Sequence, residues 1–89
     1  GYRPDVYYQY QNCLIIGEAK TSDDVARVHS KLQFESYLKK CSLFHGDAVF
    51  LAAVPWTEHA TIYNLLKKLQ KRYPGVYKVR IIDGIGGAI

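Results

Sequence analysis

Asp5, Glu18 and Lys20 are the residues of this chain whose types and spacing could do chemistry together. Two carboxylates and a backbone carbonyl make a set of hard oxygen donors suited to a small divalent cation that keeps part of its water shell. A lysine held beside them can balance charge or stabilise an anion that forms nearby. The Ala19 carbonyl is the candidate third ligand, because Ala19 lies between the two charged side chains. Two carboxylates facing each other across strands repel unless a cation lies between them, and here Lys20 or a metal can play that part. Removing either carboxylate is therefore expected to raise stability slightly when no metal is bound. The same three residues also fit a plain reading: an Asp at a strand start, and a Glu/Lys pair where a buried strand leaves the core.

The elements that bring them together are legible in the spacing. Asp5–Tyr10 and Cys13–Ala19 are rich in β-branched and aromatic residues and flank the polar pair Gln11-Asn12. This pattern predicts a β-hairpin with a two-residue loop, Asn12 being the residue that tolerates a positive φ. Facing residues then have numbers that sum to 23, which sets Asp5 opposite Glu18. Alternation along the strand puts Lys20 on the face of Glu18. A slip of one residue would send Asp5 to the other face.

Pro4-Asp5 followed by Gly17-Glu18-Ala19-Lys20 resembles the signature of the PD-(D/E)xK nuclease superfamily, and Gln33-Phe34-Glu35-Ser36-Tyr37 resembles the Gln-x-x-x-Tyr motif of some of its branches. The resemblance covers roughly residues 3–54. It implies an α/β, restriction-endonuclease-like mixed sheet, and an enzyme that hydrolyses phosphodiester bonds in DNA with Mg²⁺ or Mn²⁺. Asp5, Glu18 and Lys20 would be catalytic, with Asp5, Glu18 and Ala19 on the metal and Gln33, Tyr37 and His29 positioning substrate. The alternative is a catalytically inactive nucleic-acid-binding or assembly module of the same fold. Family members place a helix and a first strand before the Pro-Asp strand, and the chain opens too close to Asp5 to include them. The expected unit is therefore one nuclease-like core domain over residues 1–89, the C-terminal part of a larger domain or a minimal core. It would work as a homodimer or be completed by a missing N-terminal segment.

Composition agrees with a folded domain. The chain has 89 residues, 48% of them hydrophobic, with eight tyrosines and no low-complexity run. No apolar run approaches the length of a membrane span, so no membrane partner is expected. Cys13 and Cys41 lack metal or redox spacing and read as buried free thiols of a reducing, cytoplasmic environment. The net charge of +4 is concentrated in residues 56–89. Lys67, Lys68, Lys71 and Arg72 there could serve nucleic acid, or form the solvated last turns of a helix.

Beyond Lys20, the polar run Thr21–Asp24 predicts a helix start, and the periodicity a single helix over about 23–40. Val25, Val28, Leu32, Leu38 and Cys41 would form its buried stripe, with His29, Gln33 and Tyr37 as a separate row beside it. The apolar run Ala48–Val54 predicts a central strand covered on both faces and parallel to Cys13–Ala19. Thr57 would cap a second helix over about 58–73, with Ile62, Leu65, Leu66 and Leu69 inward, stopped by Pro74-Gly75. Val76–Asp83 would be the last strand, followed by a loose tail from Gly84. The expected order is ββαβαβ, lacking the usual N-terminal helix and first strand.

Overall fold

The computed structural model describes residues 2–84. Most of the tail expected after Gly84 lies outside the described residues. Four strands, β1 (Val6–Tyr10), β2 (Cys13–Ala19), β3 (Asp47–Ala53) and β4 (Lys78–Ile82), form one mixed sheet in the order β1-β2-β3-β4. The β1–β2 pair is antiparallel and the other two pairs are parallel. A short helix α1 (Ser22–Val25) and a long one, α2 (Val28–Leu43), connect β2 to β3. A 3₁₀ turn, Trp56–Glu58, and α3 (His59–Arg72) connect β3 to β4. The α/β class and the alternation of strands and helices agree with the reading of the sequence.

The hairpin register is the one that the two-residue loop demands: Tyr10 faces Cys13 and Val6 faces Gly17. The single positive φ of the loop falls on Gln11, at 52°, and not on Asn12 as expected. A positive φ at the first central residue alone is the pattern of a II′ rather than a I′ turn. Asn12 instead turns its carbonyl to the Asp47 N–H at 2.7 Å, which ties the hairpin tip to the start of β3. Gly46 makes this approach possible. Its φ is +152°, and a Cβ there would lie 2.2 Å from the Asn12 carbonyl oxygen.

One core forms between the sheet and the helices. Leu14, Ile16, Phe50 and Ala52 from the sheet meet Phe34, Tyr37, Leu38 and Cys41 of α2 and Ile62, Leu66 and Leu69 of α3. Phe50 packs edge-on against Phe34, with ring centroids 5.7 Å apart, and at a tilt against Tyr37. A salt bridge of 2.7 Å from Arg72 to Glu35, joined by the Tyr73 hydroxyl on the same carboxylate, locks α3 to α2. The Tyr73 and Arg72 donors hold the Glu35 carboxyl below its ordinary pKa.

Two expectations about burial are corrected. The helix expected over 23–40 is broken: Arg27 is extended, with φ −72° and ψ 142°, and α2 starts afresh at Val28. Within α2 itself, 100° per residue sets Val28 and Leu32 opposite Tyr37 and Cys41, so Val28 is 70% exposed and Leu32 is also exposed. The break lets Val25 of α1 stay buried out of phase with that stripe. Gln33 and Tyr37, expected beside the stripe, lie with Phe34 inside it. Second, β3 is not covered on both faces. Ala48, Phe50 and Ala52 are buried beneath the helices, whereas Val49, Leu51 and Ala53 are half-buried. Their neighbours on that outer face include Ile15, also half-buried, and the exposed Val6, Tyr8 and Tyr10. Among the described residues no element covers it.

Smaller differences concern caps and thiols. Thr57 lies within the 3₁₀ turn, and α3 begins after Glu58 without a side-chain cap. Both cysteines are free; Cys41 is buried, which pushes its thiol up to about 11, while Cys13 is only half-buried. Among the described residues no helix is long and apolar enough to cross a membrane.

Candidate active site

Asp5, Glu18, Lys20 and Gln33 meet at one end of the sheet, each placed by a different constraint. Asp5 stands just before β1 and falls across from Glu18 because the hairpin loop has two residues. Glu18 is the last core-facing residue of β2. Lys20 is held just past the strand end by its N–H bond to the Ala53 carbonyl, at 2.9 Å. Gln33 comes from the helix layer above the sheet, on the buried face of α2.

The two carboxylates are bound into the backbone of the opposite strand. Glu18 Oε1 accepts the Asp5 N–H at 3.0 Å, and Asp5 Oδ2 accepts the Ala19 N–H at 2.8 Å. Glu18 Oε2 pairs with Lys20 Nζ at 3.3 Å. Lys20 Nζ also donates to the Gln33 side-chain oxygen. The cluster is therefore wired in series from Asp5 through Glu18 and Lys20 to Gln33. Its Glu18 and Lys20 side chains are only 5% and 10% exposed, while Asp5 remains open to solvent. This wiring corrects the expected effect of truncation. Backbone donors and Lys20 already compensate the carboxylates, so removing one of them unmakes hydrogen bonds instead of relieving repulsion.

Tyr37 lies one turn beyond Gln33 on α2 and is 3% exposed. Its hydroxyl is buried with no hydrogen-bond partner among the described residues. Burial first, then the Glu18 carboxylate, pushes the phenol up to about 12, against an opposing contribution from the Gln33 amide. The group is thus a neutral donor at ordinary pH, near the cluster and unused within it. Because this fully buried hydroxyl has no partner, Tyr37→Phe should leave the melting temperature unchanged or raise it. If the hydroxyl serves a bound phosphate or water, the same variant loses cleavage rate about tenfold or more. A fall in melting temperature with an unchanged rate would show the hydroxyl to be structural.

His29, the third member of the expected row, is exposed. It sits edge-on to Tyr2 at 5.3 Å and makes no hydrogen bond to the cluster. Nothing in the helical spacing foretells its contact with Tyr2.

The donor set fits a small, hard divalent cation. Two carboxylates against one ammonium leave one formal negative charge, and Asp5 Oδ1 makes no hydrogen bond among the described residues. An extended residue directs its N–H and C=O to the same neighbouring strand, so the Ala19 carbonyl shares the Asp5 side. No group of three His, Cys, Asp or Glu side chains occurs among the described residues. A cation here would thus take its other ligands from the backbone, water or substrate, as Mg²⁺ habitually does.

Gly17 completes the local design: a Cβ there would come within 3.2 Å of the Val6 Cβ. Its absence lets β1 lie close to β2 immediately before the Asp5–Glu18 pair. Compared with known proteins, the chain matches no family model, no curated protein and no solved structure.

Proposed function

We propose that the protein is a divalent-metal-dependent nuclease that hydrolyses phosphodiester bonds in DNA, built on a restriction-endonuclease-like core of the PD-(D/E)xK kind. The observation that carries this reading is the serial cluster of Asp5, Glu18, Lys20 and Gln33, with the unpartnered Tyr37 hydroxyl behind it. Asp5, Glu18 and the Ala19 carbonyl would hold Mg²⁺ or Mn²⁺. Such an ion supplies Lewis acidity to the scissile phosphate and lowers the pKa of a bound water. The chain's own residues do the rest. Gln33 and Glu18 hold the Lys20 ammonium in place, where it stabilises negative charge developing on the phosphoryl oxygens. Lys20 lies between a carboxylate and an amide oxygen, so its role is electrostatic; a general base would have to give up that paired charge. Tyr37, whose hydroxyl is buried behind the cluster, would donate to an ordered water there.

The free edge of β1, with Val6, Tyr8 and Tyr10 exposed beside it, supports a further part of the reading: a second copy of the chain or an N-terminal segment completes the sheet. A binding or assembly module without turnover is the second reading. It is favoured by the closure of Glu18, both of whose oxygens are already engaged.

A cleavage assay on linear, circular and branched DNA, with and without Mg²⁺ or Mn²⁺, tests the proposal beside a metal titration of the melting temperature. Metal-dependent cleavage that disappears in Asp5→Ala is the expected result. A melting temperature raised by metal without cleavage would favour the module. No response to metal in either measurement would reject the site.

A further inference from the structure

A cleft lies away from the carboxylate cluster. It lies between α3 and the free edge of β4, with a volume of about 440 Å³. Leu66, Val79 and Ile81 contribute apolar surface, and His59, Lys67, Lys78 and Arg80 contribute all of its ionisable groups apart from two tyrosines. No carboxylate belongs to its wall. Asp83 stands at its His59 end, where it bonds the imidazole. Tyr63, 46% exposed, stacks on His59 with centroids 6.1 Å apart and planes 14° from parallel, and Lys67 reaches over the same ring.

Two kinds of extended polymer could lie along such a cleft, a peptide strand added to β4 or a nucleic-acid strand. The edge itself discriminates between them. β4 alternates inward Val79 and Ile81 with the exposed Lys78 and Arg80, and charged residues on an edge strand oppose strand addition. Arg80 also donates its guanidinium to the Val79 carbonyl at 3.0 Å, which occupies an acceptor that an added strand would need. Positive side chains, an exposed aromatic ring and a concave floor are instead what a polyanion with flat bases requires.

We propose that a short single-stranded run of nucleic acid lies along this cleft and over the β4 edge. Its phosphates lie on Lys67, on Arg80, which folds round that edge, and on Lys78 at its outer side, with a base against Tyr63. The cleft also has a direction. Ala19, Ala53 and Ile82 are paired across the three parallel strands. The His59–Asp83 end therefore opens at the sheet end where Glu18 and Lys20 lie, two strand spacings or about 10 Å away. A strand leaving the cleft at His59 runs toward the cluster. Binding stands on charge and shape alone; only this link to the cluster rests on the nuclease reading.

The test is fluorescence anisotropy with a labelled oligothymidylate of about 12 nucleotides, in EDTA so that no cleavage occurs, over a series of salt concentrations. Lys78 and Arg80 are exposed, so Lys78→Ala/Arg80→Ala should fold, which circular dichroism checks. That double variant should bind at least tenfold more weakly, and the slope of log affinity against log salt should fall by about 0.7 per removed charge. Tyr63→Ala should weaken binding about fivefold or more with little change of slope. An affinity and slope unchanged in the double variant would overturn the proposal. Tighter binding of a duplex of the same length would overturn the single-strand assignment, and equal binding of an oligoglutamate peptide would point to an acidic peptide instead. Absence of cleavage in the wild type, with this binding intact, counts against the nuclease reading and leaves the cleft standing.

Discussion

Glu18→Ala should abolish metal-dependent cleavage and also destabilise the domain by on the order of 3 kcal/mol. The carboxylate is the only described group that touches both Asp5 and Lys20, accepting the Asp5 N–H and pairing with the ammonium. Without it, Lys20 keeps its charge at a largely buried position with Gln33 as its remaining partner, and the Asp5 N–H loses its acceptor. In a domain of this size such a loss lowers the melting temperature by roughly 10 °C or more. Glu18→Gln separates the two effects, because the amide oxygen can still accept the Asp5 N–H while the charge is gone. That variant should melt closer to the wild type and still fail to cleave. Cleavage at the wild-type rate by either variant would reject the site. A Glu18→Ala protein that melts above the wild type would show that carboxylate repulsion outweighs the network.

Lys20→Ala should lower turnover by about 10²- to 10³-fold, the usual cost of removing one preorganised charge or donor from a developing anion. Its metal affinity should hold or increase, since a competing ammonium leaves Glu18 Oε2. The two effects predict an asymmetry in melting. Without metal the variant is weakened by a buried carboxylate that has lost its partner, and Mn²⁺ restores that charge balance. The rise in melting temperature on adding Mn²⁺ should therefore be larger in Lys20→Ala than in the wild type. Loss of metal binding, with turnover per bound metal unchanged, would reassign Lys20 from the reaction to the binding site.

The parts of this site that were legible in the sequence are those fixed by local counting. A two-residue loop determines every facing pair of the hairpin, so Asp5 against Glu18 could be read without a structure, and alternation carried Lys20 to the same face. The break before α2 was not legible. Val28 and Leu32 were read into the core although 100° per residue sets them opposite Tyr37 and Cys41, and the extended Arg27 that breaks the helix bears no proline or glycine to announce it. Gln33 and Tyr37 were singled out by their resemblance to a motif, and their burial follows from sharing a helix face with Phe34, Leu38 and Cys41. The α3–β4 cleft lay further out of reach. Lys67 and Tyr63 belong to one element and Lys78 and Arg80 to another, and only the second crossover sets them side by side.

The joint at Arg27 has an evolutionary corollary. Between Lys20 and Val28 the chain passes through an extended residue, so a residue gained or lost there can be taken up without rotating α2. Inside α2 the same event turns every later side chain by about 100° relative to those before it. An insertion between Gln33 and Tyr37 would thus swing the hydroxyl out of the core while leaving Gln33 against Lys20. Length variation in homologous chains is accordingly expected to gather at residues 21–27, a hinge where the two halves of the site can drift apart in sequence without losing their alignment in space.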